Sequence, residues 1–159
     1  LVQHIRDIVE EHDTVVGIHD LVVHDYGPGR QMVSLHAEVP ASGDILQLHD
    51  VIDNIERELH EKLHVQAVIH MDPIVTDDET VDALRRQVAE LVRQVEPRMT
   101  VHDLRVIRGT THTHLVFDAV LPLDAAITPA EAGRRIREKV SELDGDYYAV
   151  VTVEHSFTE

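Results

Sequence analysis

Three residues of this chain have the type and spacing of a metal site: His36, His70 and Asp72. His70 and Asp72 lie in the run Val65–Asp72, where Val65, Ala67, Ile69 and Met71 alternate with Gln66, Val68, His70 and Asp72. Read as a strand, the first set faces a core. His70 and Asp72 then share the opposite face, about 7 Å apart by the strand rise. In the run Gln31–Val39, His36 likewise faces away from Leu35 and Val39. Imidazole nitrogen with carboxylate oxygen is a borderline-soft donor set that suits zinc and its neighbours. His19 and His49 are ambiguous by pattern. His19 shares parity with Leu21 and Val23, which places it toward the core unless twist or a bulge turns it to the rim. His49 sits on the edge of an apolar helix face beside Leu48 and Ile52. His4, His12, His24, His60 and His64 read as solvated.

Composition narrows the chemistry further. The chain has no cysteine, which excludes disulfides, thiolate zinc sites and cysteine nucleophiles. It carries a formal charge of −16 and 13 histidines, nine of them before residue 73. Such a negative field concentrates cations and disfavours nucleic acid and anionic lipid. Only Tyr26, Phe117, Tyr147, Tyr148 and Phe157 are aromatic, so no base-stacking platform is expected. No Gly-rich phosphate loop follows a strand, no Gly-x-Ser-x-Gly elbow is present, and no His-Glu-x-x-His pair occurs. The pattern points away from catalysis. No apolar run reaches the roughly 18 residues of a membrane helix, and no signal peptide is evident.

The elements that must position these residues follow from hydrophobic period. Leu1 to His12 reads as a helix with Val2, Ile5, Ile8 and Val9 on one face. Ile18–Asp25 and Gln31–Val39 form a hairpin across Tyr26-Gly27-Pro28-Gly29. Asp44 caps a helix bearing Ile45, Leu48, Ile52, Ile55, Leu59 and Leu63. Val65–Asp72 is a third strand, ended by Pro73. The order then recurs: a helix over about 80–95, strands over about 99–108 and 112–121, a helix begun by Thr128 and Pro129, and a strand over 147–155. Two segments also match directly. Ile18-His19-Asp20-Leu21-Val22-Val23 answers Val101-His102-Asp103-Leu104-Arg105-Val106, and Leu35-His36-Ala37-Glu38-Val39-Pro40 answers Phe117-Asp118-Ala119-Val120-Leu121-Pro122. The fold class is therefore α+β, two tandem α-β-β-α-β units at 1–74 and 80–159 joined by a short linker at 75–79, each a small, mostly antiparallel three-stranded sheet with two helices on one face.

The first unit resembles the C-terminal cytoplasmic domain of the cation diffusion facilitator, or cation efflux, transporters. Four spaced motifs carry the resemblance: Gly17-Ile18-His19-Asp20-Leu21, Ser34-Leu35-His36-Ala37-Glu38-Val39, Leu48-His49-Asp50-Val51-Ile52 and Ile69-His70-Met71-Asp72-Pro73. The resemblance implies a metallochaperone-like (ferredoxin-like) fold and a homodimer beneath a transmembrane domain upstream, at the cytoplasmic face of the cell membrane. It further implies a regulatory site for a divalent transition metal, zinc foremost, with ligands His19, His36, His49, His70 and Asp72. The second unit departs from the motif: His102 is retained, Asp118 stands for His36, Glu154 falls near the place of His70 and Ser156 near that of Asp72. It reads as a degenerate copy. Metal ligation needs neutral imidazole, so affinity is expected to fall as pH drops through about 6.5. The rival readings are a free-standing metal carrier or buffer, and a dimerisation domain for a small organic ligand.

Overall fold

The computed structural model describes residues 1–75 and 78–156. The chain divides into two compact units, Leu1–Ile74 and Val75–Glu159. In the first, α1 (Val2–Glu10) leads into β1 (Gly17–Asp25), β2 (Gln31–Pro40), α2 (Ile45–Leu63) and β3 (Gln66–Ile74). The hairpin turns where Gly27 and Gly29 take φ of +116° and +72°, a region costly for any residue with a Cβ. Asp44 starts α2 by accepting from the Leu46 and Gln47 amides. At the other end His64 stops the helix with φ +55°. Asp44→Ala should destabilise this unit by about 1 kcal/mol in urea unfolding, because those two amides lose their acceptor.

Period decides the core. Ile5, Ile8 and Val9 of α1 and Ile52, Ile55 and Leu59 of α2 pack on Val33, Leu35, Ala37, Ala67 and Ile69 of the strands. Both helices therefore cover one sheet face and leave the other to polar side chains together with Val22, Met32 and Val68. β1 pairs antiparallel with β2, and β2 pairs parallel with β3. The expectation of a mostly antiparallel sheet is corrected here: α2 carries the chain back across the sheet, so β3 enters in the same direction as β2.

The second unit has α3 (Asp78–Val95), β4 (Thr100–Arg108), β5 (Thr113–Leu121), α4 (Pro129–Ser141) and β6 (Tyr147–His155). Its ladders repeat the scheme, β4 with β5 antiparallel and β5 with β6 parallel. Phe117, Leu115 and Leu121 centre its core beneath Val88 and Val92 of α3 and Ile136 and Val140 of α4. Of the expected linker 75–79, Thr76 and Asp77 lie outside the described residues, and α3 already begins at Asp78.

Candidate metal centre

Strand register builds the site. His19 of β1 is directly opposite His36 of β2, which is opposite His70 of β3. Two residues along, Gly17, Glu38 and Asp72 form a second cross-strand row. Three imidazoles thus lie beside two carboxylates on the face the helices leave open.

His19 reaches this face through a bulge. Pairing slips between His19 and Val22, where β1 uses three steps against two on β2. Asp20 absorbs the extra residue at φ +52°, a left-handed conformation that Asp tolerates better than most. The bulge resets the alternation. Ile18, Leu21 and Val23 all reach the core, and His19 turns the other way.

Asp72 is the hub. Its Oδ2 accepts from His36 Nδ1 at 2.8 Å and from His19 Nε2 at 3.1 Å, and its Oδ1 lies 3.0 Å from His70 Nε2. The other His19 nitrogen, Nδ1, donates to Glu38 Oε2 at 3.0 Å. The ring centres of His19 and His36, and of His36 and His70, are each 4.7 Å apart. One ligand atom each from His19, His36 and Asp72 falls within 4.8 Å of the others, the one such group among the described residues.

Glu38 is the residue the sequence reading missed. It is 0% exposed, and with Asp72 at 5% it is one of two buried charged side chains among the described residues. A carboxylate at a strand position next to Val39 has no signal of its own in the sequence. The signal that existed was its neighbour: a Cβ on Gly17 would stand 3.0 Å from Glu38 Oε1, so glycine is what leaves room for this carboxylate.

The electrostatics follow from the geometry. Burial alone would lower the pKa of His19. Its hydrogen bonds to Asp72 and Glu38 outweigh that and push it up to about 9. With both nitrogens donating to carboxylates, His19 is an imidazolium in the metal-free protein. Burial would raise Asp72, but the bonds from His19 and His36 hold it below the ordinary carboxylate value. A divalent cation in place of that proton would take the two carboxylates and the imidazoles from a net charge of −1 to zero, and the set of nitrogens and carboxylate oxygens suits a borderline metal.

His49 stands apart from this group. It is exposed on α2, on the helix side of the sheet, beside Ile52 and Asp53 and close to Ile69 and Met71.

The second unit holds a different set at the corresponding positions. His102 faces Asp118 across a bulge like that of β1, with Asp103 at φ +56°. Asp118 faces Thr152, and Val120 faces Glu154. Glu154 therefore matches the position of Asp72, Thr152 that of His70, and Val120 that of Glu38. The sequence puts Glu154 near the place of His70 and Ser156 near that of Asp72; strand register, which sequence spacing does not reveal, sets each of them two residues from there. Asp118 is raised by burial and by Asp103 and Glu154, against the opposing pull of Arg105 and His102.

Residues 1–74 match the family model described as the cation efflux protein, cytoplasmic domain. That is the first unit, somewhat under half of the chain. An uncharacterised transporter of Methanocaldococcus jannaschii is 36% identical over 61 residues, which cover 38% of this chain and 21% of that protein. The chain thus spans about a fifth of that relative. A solved structure of CzrB, a proposed zinc transporter, matches at 29% identity over 45% of this chain and 90% of its own, with a TM-score of 0.42. The metal-bound C-terminal domain of the CzcD transporter from Thermotoga maritima matches at 16% identity over 45% of this chain and 85% of its own, also with a TM-score of 0.42. The first unit carries the sequence pattern of a cation-efflux cytoplasmic domain.

Proposed function

We propose that this chain is the cytoplasmic metal-sensing and dimerisation part of a divalent-cation efflux transporter of the zinc type, with its metal held in the first unit. The observation that carries the reading is the convergence of His19, His36 and His70 on Asp72, with ligand atoms of His19, His36 and Asp72 within 4.8 Å of one another. The family match of residues 1–74 supports the transporter context and gives no support to catalysis. His19, His36, His70 and Asp72 are the proposed ligands within one chain. His49, on the helix side, can join them only from a second copy, which accords with a homodimer. The second unit, 80–159, is proposed as a degenerate tandem copy of the same ferredoxin-like unit. Its recurrent element order and its bulge at Asp103 support that relation, while Asp118, Val120 and Thr152 replace the ligating and supporting positions.

Metal would act by linkage. It binds an arrangement in which strand rows and any partner copy close on the ion, and shifts the population by its differential affinity for that state. A membrane domain upstream would receive the shift. Calorimetric titration of zinc into the metal-free chain, into His36→Ala and into His70→Ala tests the site. Each substitution should weaken binding by at least about tenfold, that is about 1.4 kcal/mol. Equal affinity in all three proteins defeats the assignment. His49→Ala should matter only at concentrations where sedimentation shows a dimer.

A further inference from the structure

A second pair of imidazoles lies in the other unit, at the end of the β4–β5 hairpin. His112 and His114 are two residues apart, with ring centres 4.9 Å from each other and planes at 53°. Their backbones are anchored. The Gly109 amide donates to the His112 carbonyl at 2.8 Å, closing the turn. A Cβ at Gly109 would come within 2.9 Å of that same oxygen, so the turn requires glycine. His114 is held in the sheet opposite Ile107 on one side and Tyr148 on the other. The Tyr148 ring meets both imidazoles edge-on, at 5.7 Å from His112 and 5.9 Å from His114.

We propose that His112 and His114 form a separate, solvent-facing site for a late first-row divalent cation, copper(II) or nickel(II) ahead of zinc. The ring spacing is what two ligands of one ion require. A metal about 2.1 Å from each nitrogen sits about 3.2 Å from each ring centre, and ligand angles of roughly 90–110° then separate the centres by about 4.5–5.2 Å. The distance here lies in the middle of that range. Thr111 Oγ1 lies 2.9 Å from His112 Nδ1. In the tautomer whose Nδ1–H donates to Thr111 Oγ1, Nε2 keeps the lone pair that a metal needs, which is how an outer partner selects the ligating nitrogen. Two imidazoles supply one edge of the coordination shell and water completes it. A tetragonal ion accepts such a set, and the usual affinity order places copper(II) above nickel(II) and zinc. Tyr148 positions the rings rather than ligating. The chain's charge of −16 raises the local supply of cations. The site shares no residue with the first-unit centre and does not depend on it.

The test uses the full chain carrying His36→Ala and His70→Ala, so that the first-unit centre is disabled, and titrates copper(II) while histidine ring signals are followed by NMR. The signals of His112 and His114 should broaden first, at one equivalent. His112→Ala with His114→Ala should remove that event, and His114→Gln alone should weaken it at least about tenfold, with circular dichroism unchanged. Broadening spread evenly over all histidines, or a double variant that binds copper(II) as its parent does, overturns the proposal and leaves the pair as ring packing only. Because the parent lacks the first centre, neither result bears on zinc binding there, and loss of zinc binding in the first unit does not bear on this pair.

Discussion

Asp72→Asn is expected to lower zinc affinity by two to three orders of magnitude, about 3–4 kcal/mol, while the first unit stays folded. The side chain touches three histidines at 2.8–3.1 Å and lies almost entirely out of water. An amide of the same shape keeps an oxygen for one hydrogen bond but removes the negative charge that a divalent ion needs among neutral imidazoles. It also turns an NH₂ group toward at least one ring. The loss should exceed the roughly 10–100-fold that follows from removing an outer partner of a metal ligand. Calorimetry with zinc against a circular-dichroism control reads it. Affinity within threefold of the parent would mean that Asp72 is a structural counter-ion and that the centre lies elsewhere.

The second large effect is on pH. In the metal-free protein His19 has a folded pKa of about 9 against an ordinary 6.5. A raised histidine stabilises the fold in full below 6.5, and that contribution disappears as pH rises from 6.5 through 9. Discounted for the solvent that still screens the ring, it is on the order of 2–3 kcal/mol. Asp72, held below its ordinary value, acts in the opposite sense: its contribution is present above the unfolded carboxylate pKa and is lost as pH falls through the folded one. Urea unfolding of the metal-free chain should therefore show stability falling between pH 6.5 and 9. Zinc binding runs the other way. His19 must release its proton to ligate, so affinity should climb with pH up to about 9 instead of levelling off just above 6.5. The pH expectation drawn from unperturbed imidazole is corrected accordingly, because two buried carboxylates hold the His19 proton. Glu38→Gln removes one of them. It should flatten the stability slope and move the rise in affinity to lower pH, while weakening zinc at high pH by up to about tenfold, because the bond that orients His19 loses its charge assistance. A stability profile flat from pH 6.5 to 9 in the parent would show that His19 carries no such proton.

Much of this centre was readable from residues in order. Alternation in Val65–Asp72 put His70 and Asp72 on the face away from Ala67 and Ile69, and the three-four spacing from Leu48 to Leu59 put α2 over the core. Those are local consequences of a two-residue and a 3.6-residue period, and no partner is needed to read them. The motif resemblance added His19, and the structure brings it to His36 and Asp72. The same resemblance added His49, which this chain keeps on the helix side of the sheet.

The sequence by itself determined which residues have donor atoms, which strand face each occupies while alternation holds, and the order of elements in each unit. Tertiary structure alone decided the rest. The bulge at Asp20 reversed the parity of His19. Register set Glu38 beside Asp72, and Glu154 rather than Ser156 at the corresponding place in the second unit. The physical reason is that alternation is a property of one strand, whereas register and bulges arise from pairing between strands distant in sequence. A single slip there moves a side chain to the other face, and with it the proton or metal that the side chain can hold.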